Sequence, residues 1–508
     1  MEAPHFIHFA PAHPAGERAD DKRWWGLGVI CVAMFISAMD MTIVNVALPD
    51  MSEDLGAGMG ELQWVLDAFL VTLAGLLLVG NGLADRFGRR RVFLLGLVGF
   101  AVTSVLAALA TTVGELIAAR VLMGMAACCV MPPALSLLAV LFPPELRATA
   151  AGVWAAVAGV GLALGPVLGG VLVDAAGWPW VFLVNVPFVL LAVPCGLRWL
   201  PESRRPGAPP LDLPGAALST LALGGIVFAL ISGADAGWTS PAVIAAAIAG
   251  VAAGVAFVVT ELRREHPLFD VRVLGRRRVA SGAYVIVAAY MATLGMLFVV
   301  PQYVQYVQGG SAFVSGLEVA PFGIGLGVLA TVSGRLVARF GAFAVMLAGL
   351  LTAAAGFVPL LFLSADSSPA LVVIGTGLFG CGLGTMAPPV TAVIMNDVGT
   401  EKAGDGAAVN QVARQVGGAL GVAIVGSVFA VVYSAQISED SRAPAAAEES
   451  IQATTDVANR LGGAARAALL DDAIASFDVA ARWGLAVCML ALLIALVVAA
   501  LGLRHSPA

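Results

Sequence analysis

Residues 81–91 read Asn81-Gly82-Leu83-Ala84-Asp85-Arg86-Phe87-Gly88-Arg89-Arg90-Arg91, a charged turn between two long apolar runs. A worn copy stands half a chain later: Gly334-Arg335-Leu336-Val337-Ala338-Arg339-Phe340-Gly341, an offset of 334 − 81 = 253 residues. Two more blocks repeat. Gly124 through Pro132-Pro133 matches Gly380 through Pro388-Pro389, at 380 − 124 = 256. Gly161-Leu162-Ala163-Leu164-Gly165 matches Gly417-Gly418-Ala419-Leu420-Gly421, at 417 − 161 = 256. Three ordered blocks in one register mark a duplication.

What flanks the turn sets the environment. The 508 residues are 60% hydrophobic and 12% charged, with a mean hydropathy of +0.94. An average soluble domain carries about 25% charged residues, so a chain this poor in charge belongs in lipid. Fourteen apolar runs lie at about 24–48, 62–83, 92–111, 115–141, 148–173, 178–199, 213–234, 241–261, 279–303, 314–337, 342–363, 369–395, 406–433 and 481–503. Each is near the ~20 residues that cross a bilayer. Backbone polar groups find no water there, so each run is expected to be a helix. The first run is too long for a signal-peptide core and lacks an A-x-A site, so it is kept as a helix.

Six helices (24–199) and six more (279–503) form the two halves, with helices seven and eight inserted in the linker 200–278. Repeated six-helix units around a midplane site are the plan of a secondary transporter. The expected fold is all-α and integral to the membrane: two six-helix bundles plus two inserted helices. Residues 1–23, with His5, His8 and His13, are expected as a polar cytoplasmic tail rather than a metal tract. The Ala- and Glu-rich stretch at about 434–480 is expected as an outer loop, with a weakly amphipathic helix over 457–477.

Arginine placement gives the sidedness. One set of loops carries Arg86 to Arg91, Arg147, Arg198, Arg263, Arg276 to Arg278 and Arg335; the opposite set carries Asp50, Glu53, Asp54, Asp174, Asp235 and Asp366. The positive-inside rule then puts both termini in the cytoplasm. The six cysteines all fall inside apolar runs without metal-ligand spacing, so neither a disulfide nor a metal site is expected. No Walker loop and no Ser/His/Asp cluster outside lipid is present, which argues against ATP-driven transport and against an enzyme.

The polar residues inside the runs carry the chemistry. Asp40 lies about eight residues, ~12 Å, inside the outer end of helix one. A carboxylate there must be paired, protonated or facing water. It is either a proton carrier or a structural carboxylate bonded to a neighbouring helix. Asp67 and Glu318 sit about five residues inside outer helix ends, as binders of cationic substrate or protons, or as side chains reaching for the interface. Arg120 is five residues into helix four. We expect Asp40 and Arg120 to communicate, protonation of Asp40 releasing the pair; the alternative is a fixed structural ion pair. Thr42 and Asn45 share a helix face away from that of Asp40. Arg414, with Asn410 and Gln415, lies inside helix thirteen and needs a partner, for substrate or for structure.

Gly161, Gly165 and Gly169 recur every fourth residue and make one smooth face for close helix approach. Pro166 removes a backbone hydrogen bond and is expected to bend helix five. The cluster Asp85, Arg86, Gly88, Arg89, Arg90 is an anchor at the headgroups. It is also a gate if Asp85 caps a helix or pairs with an arginine across the bundles. Ala338 stands at the second-half position, so one copy alone could gate.

With these motifs in view, the chain resembles the major facilitator superfamily, in its 14-helix drug:proton antiporter branch. The resemblance rests on Asp40 to Pro49 in helix one, residues 81–91, Leu116-x-x-x-Arg120-x-x-Met123-Gly124, Gly161-x-x-x-Gly165-Pro166-x-x-Gly169-Gly170, and Trp178 to Pro187. It departs at Asn81, where the family has glycine, at Met123, where it often has glutamine, and at Pro179, where it has arginine. The resemblance implies that Arg120 couples proton and substrate binding and that the Gly161–Gly170 string marks an exporter. It implies a cavity with Asp40, Asp67 and Glu318, a drive from the proton gradient without a cofactor, and a monomer in a bacterial cell membrane. The expected partners are protons, a small-molecule substrate and the bilayer, with no nucleic acid. Two alternatives stay open: an exporter dedicated to one antibiotic, metabolite or lipid, and a transporter-like sensor or scaffold without flux.

Overall fold

The computed structural model describes residues 17–204, 211–264, 270–399, 403–440, 451–461 and 463–503. Among the described residues, fourteen helices are long and apolar enough to cross a membrane. They are α1 (Glu17–Leu55), α2 (Met59–Phe87), α3 (Arg89–Ala108), α4 (Val113–Leu141), α5 (Pro144–Ala176), α6 (Trp180–Trp199) and α7 (Leu213–Ala236). The rest are α8 (Pro241–Arg263), α9 (Arg277–Tyr306), α10 (Ala312–Phe340), α11 (Ala342–Leu360), α12 (Ala370–Val398), α13 (Ala403–Asp440) and α14 (Gly463–Gly502). No strand occurs among the described residues.

The duplication is visible in the turns. Gly88 joins α2 to α3 with φ +110°, and Gly341 joins α10 to α11 with φ +83°. Only glycine takes that region readily, which is why both copies keep it. Inside each half the same pair of helices packs through glycine. A methyl added at Gly161 on α5 would lie 2.8 Å from the Phe35 carbonyl of α1, and one at Gly417 on α13 would overlap the Val287 carbonyl of α9. Small residues allow this approach in lipid, where packing rather than hydrophobicity joins helices.

Two helices are broken. α4 runs as Val113–Cys128 and Met131–Leu141, with Cys129 and Val130 between. Pro132 and Pro133 follow, and neither has an N–H to continue the ladder. α6 breaks at Val184, after the four residues Trp180–Leu183, with Pro187 just beyond. Pro166 lies inside α5, which continues through it.

The inserted α7 touches both halves. Ser219 Oγ donates to the Gly75 carbonyl of α2 at 3.2 Å, and Ser427 Oγ of α13 donates to the Leu230 carbonyl of α7 at 2.8 Å. Asp212 caps α7 by accepting from Gly215 N at 2.7 Å and pairs with Arg264 at the far end of α8, which clasps the inserted hairpin.

Several helix ends extend past their expected bounds. α1 runs on to Leu55, so Asp40 lies 55 − 40 = 15 residues, ~22 Å, from that end rather than eight. α13 continues to Asp440 and α14 starts at Gly463, so most of the expected outer loop 434–480 is helix. A helix once formed extends at small cost per residue, and hydropathy marks where lipid ends, not where the helix does. A separate short helix, Ile451–Arg460, sits against α13 through Tyr433 Oη and Thr454 Oγ1, 2.7 Å apart. Residues 1–16, with the three tail histidines, and 441–450 lie outside the described residues.

Candidate functional site

The two halves meet along α5 with α10 and along α2 with α13. One end of the molecule carries Arg86 to Arg91, Arg147 and Arg276 to Arg278; the other carries Asp50, Asp174 and Asp366. At the acidic end the seam is tight. Phe313 N of α10 donates to Asp174 Oδ2 of α5 at 3.2 Å, and Gln305 Nε2 of α9 donates to the Val46 carbonyl of α1 at 3.0 Å. A methyl at Gly170, Gly316 or Gly323 would overlap the facing helix. Toward the arginine-rich end the seam loosens. A methyl at Gly159 would stand 3.6 Å from Gly327, and nothing lies within 4 Å of one at Gly152 or Gly334. The α5–α10 seam is therefore tight at its acidic end and looser toward the other.

Asp40 and Arg120 lie beside this seam. Arg120 Nη1 donates to Asp40 Oδ2 at 2.7 Å, and the pair is almost fully enclosed, 0% and 1% exposed. Arg120 Nε donates to the Val65 carbonyl at 3.0 Å, and the guanidinium carbon sits 4.5 Å from the centre of the Phe69 ring. These contacts hold the guanidinium plane against α2, so it reaches Asp40 from a fixed side. A buried ion pair repays its desolvation only with such extra hydrogen bonds. Asp40 Oδ1 has no hydrogen-bond partner.

A cavity of about 10 Å³, room for one water, opens beside the pair; its lining includes Asn45, Phe69 and Arg120 from one half and Leu294 and Val422 from the other. Arg120 thus lines a cavity shared by both halves. Asn45 faces this cavity, while Thr42 donates to the Leu162 carbonyl of α5 at 3.4 Å. The two residues expected on one face divide between cavity and packing.

The other sequence-derived residues are scattered. Asp67 is fully buried with neither carboxylate oxygen partnered, eight residues inside the start of α2, and it does not line the central cavity. It lies between Gln63, which packs on Gly426 of α13, and Val71, which packs on Gly224 of α7. It therefore belongs to the face of α2 that meets α13 and the inserted helix. Glu318 is away from the central cavity too, in a pocket made wholly by the second half. Arg414 finds Asn410 Oδ1 at 2.9 Å and the Tyr290 ring at 5.2 Å. These acids were placed by depth alone, and depth does not give a residue's rotation about its helix.

The charged turn closes on its own half. Asp85 pairs with Arg89 at 2.8 Å, four residues on, and makes no bond across the bundles. Arg89 N donates to the Ser203 carbonyl at 2.8 Å, Arg90 Nη1 donates to the Leu200 carbonyl at 3.1 Å, and Arg90 and Arg91 flank Glu202. The expected cross-bundle pairing of Asp85 is thus not made in this conformation, where Arg89 takes its carboxylate instead. Arg86 lies over Phe87. Sequence reading missed Glu202, and it missed Trp178 Nε1 donating to Asp54 Oδ2 at 2.9 Å. Only the fold brings those partners together.

Known proteins share this plan. The Major Facilitator Superfamily profile matches residues 30–422. The puromycin resistance protein pur8 of Streptomyces alboniger is 38% identical over 439 residues, 84% of this chain and 86% of that one. The multidrug efflux pump LfrA of Mycolicibacterium smegmatis is 31% identical over 470 residues, 92% and 93% of the two chains. A bacterial homologue of the human lysosomal transporter Spinster, solved inward-facing and unoccupied, superposes with a TM-score of 0.67 at 17% identity, covering 96% of this chain and 99% of that one. That likeness speaks for the fold alone. With a duplicated helical plan, fourteen spans and a profile match over most of its length, this chain belongs to the Major Facilitator Superfamily.

Proposed function

We propose that the protein exports small drug-like molecules, amphipathic and often cationic, in exchange for protons. The carrying observation is the enclosed Asp40–Arg120 pair beside a seam that is tight at one end and looser toward the other. Relatives whose names record puromycin resistance and multidrug efflux support the direction. The arginine-rich end is the cytoplasmic end by the positive-inside rule, so the conformation is inward-open, in a bacterial cell membrane with both termini in the cytoplasm.

The mechanism follows from charge. In the inward-open state Asp40 is ionised and held by Arg120. A proton arriving from outside, in the opposite state, neutralises Asp40, and a neutral carboxyl no longer holds the guanidinium. Arg120 then repels a cationic cargo into the outer medium. Release of the proton inside restores the pair and frees the cleft for new cargo. A proton falling through 100 mV supplies about 2.3 kcal/mol, and one pH unit adds about 1.4 kcal/mol. A monovalent cation leaving the cell gives back the electrical part, so one-for-one exchange sustains a gradient of about tenfold for it, and only a neutral cargo gains the full several hundredfold. No cofactor is required, and the chain acts as a monomer.

The test uses everted membrane vesicles with an imposed pH gradient and ethidium. Wild type quenches the dye in a protonophore-sensitive way, and Asp40→Asn does not. An Asp40→Asn variant exchanging dye for protons at the wild-type rate would sink the assignment. A second reading, an exporter of a single antibiotic, is supported by relatives named for puromycin and tetracenomycin C resistance. A susceptibility panel over unrelated compounds separates the two.

A further inference from the structure

At the acidic end, the second half alone lines an open pocket of about 280 Å³, close to the smallest small-molecule sites, which start near ~300 Å³. Its described lining runs from Val304 to Pro369 and shares no residue with the central cavity. Val304 and Val314 give it apolar walls, and Glu318 projects from α10 into it. Gln308 Nε2 donates to the Ser367 carbonyl at 3.2 Å and ties the α9–α10 turn to the α11–α12 turn over the pocket. Asp366 lines its exposed rim.

Glu318 is the telling residue. It is 6% exposed, yet its Oε2 has no protein partner. A buried carboxylate oxygen without a donor is costly, and intramembrane acids of this kind mark ligand or ion paths. Apolar walls, a buried carboxylate and a second carboxylate at the rim complement one ligand chemistry: an ammonium or other onium centre on an alkyl or aryl body. An anion meets two like charges there, and a bare metal ion gains nothing from the apolar walls. We propose that this pocket binds an organic cation from the acidic-end side, separately from the cleft between the halves. The site is probed by binding rather than by transport, so it stands or falls apart from the export reading.

The experiment uses the full chain with Ala365→Cys, a cysteine at the exposed pocket rim, and the rate of its labelling by a membrane-impermeant maleimide. Wild type, whose six cysteines lie within membrane-spanning helices, gives the background. Tetraphenylphosphonium is expected to slow labelling in a saturable way, and tetraphenylborate, of the same shape and opposite charge, is not. Adding Glu318→Gln should raise the protecting concentration about tenfold, and adding Asp366→Asn, at the solvated rim, about threefold. Each variant is first checked for a monodisperse elution profile. If Glu318→Gln does not fold, Asp366→Asn carries the same test. Equal protection by both ions, no protection, or protection unchanged in every folded acid variant overturns the proposal.

Discussion

The two halves of this protein are built to one plan and armed differently. Gly161 and Gly165 of α5 face the Phe35 and Met39 carbonyls of α1, and Gly417 and Gly421 of α13 face the Val287 and Met291 carbonyls of α9. These contacts align α1 with α9 at 287 − 35 = 252 residues. On that register Asp40 corresponds to Ala292. Arg120 corresponds to Thr376, at the offset of 256. The correspondence reaches single hydrogen bonds: Arg120 Nε donates to the Val65 carbonyl at 3.0 Å, and Thr376 Oγ1 donates to the Glu318 carbonyl at 3.1 Å. Val65 and Glu318 are themselves equivalent, at 318 − 65 = 253. The same slot between helices thus holds a cation paired with an acid in one half and a neutral hydroxyl in the other. Pro166 faces Val422, and Asp85 faces Ala338, in the same comparison. Ancestral symmetry supplies the scaffold; the first half alone keeps the Asp40–Arg120 pair, and on our reading it carries the coupling.

Making the first half resemble the second is the sharpest way to break this picture. Arg120→Thr leaves Asp40 buried without its partner. Removing one member of a buried pair costs about 3–5 kcal/mol of stability, and on our reading proton-driven dye efflux in vesicles should fall to background. The converse, Thr376→Arg, inserts a guanidinium opposite Ala292. It should lower thermal stability by an amount of the same order, about 3 kcal/mol, read by fluorescence-detected size exclusion on heating. Pro166→Val gives α5 the residue of α13 and restores a hydrogen-bond donor. The account expects roughly tenfold slower efflux with folding unharmed, since Pro effects on a helix run to about 3 kcal/mol and part of that is spent on shape. Asp85→Ala copies Ala338. It removes an i, i+4 pair worth about 0.3–0.5 kcal/mol, so melting should scarcely move; a drop in efflux without a drop in melting would assign Asp85 to the opposite, inward-closed state. Thr376→Val is the smallest change. It should cost no more than about 1.5 kcal/mol of stability and leave the proton-to-dye ratio unchanged.

Much of the fold was legible because lipid imposes a simple code. Apolar runs of bilayer length must be helices, and the repeated turn and glycine blocks reveal the duplication. The helix ends were not legible. Glu17 to Arg23 and Met51 to Leu55 are polar enough to lie outside lipid, yet they stay helical. At the site, Asp40 and Arg120 stood out as charges in apolar runs, and their separation of 80 residues gives no hint that they touch at 2.7 Å. Val65 could not be named at all, since it contributes only a carbonyl. Asp67 and Glu318 were read by depth as cavity acids, but rotation about the helix sends one toward α7 and α13 and the other into a pocket of its own half. Those directions come from tertiary packing, which no local pattern encodes.

On our reading, Asp40 takes the proton as Arg120 lets it go. Infrared difference spectroscopy between high and low pH on the reconstituted protein reads this directly. A protonated-carboxyl band is expected on acidification, accompanied by a guanidinium shift, with the carboxyl band lost in Asp40→Asn and the guanidinium shift lost in Arg120→Thr. A carboxyl band that persists in Asp40→Asn and vanishes instead in Asp67→Asn or Glu318→Gln would contradict it.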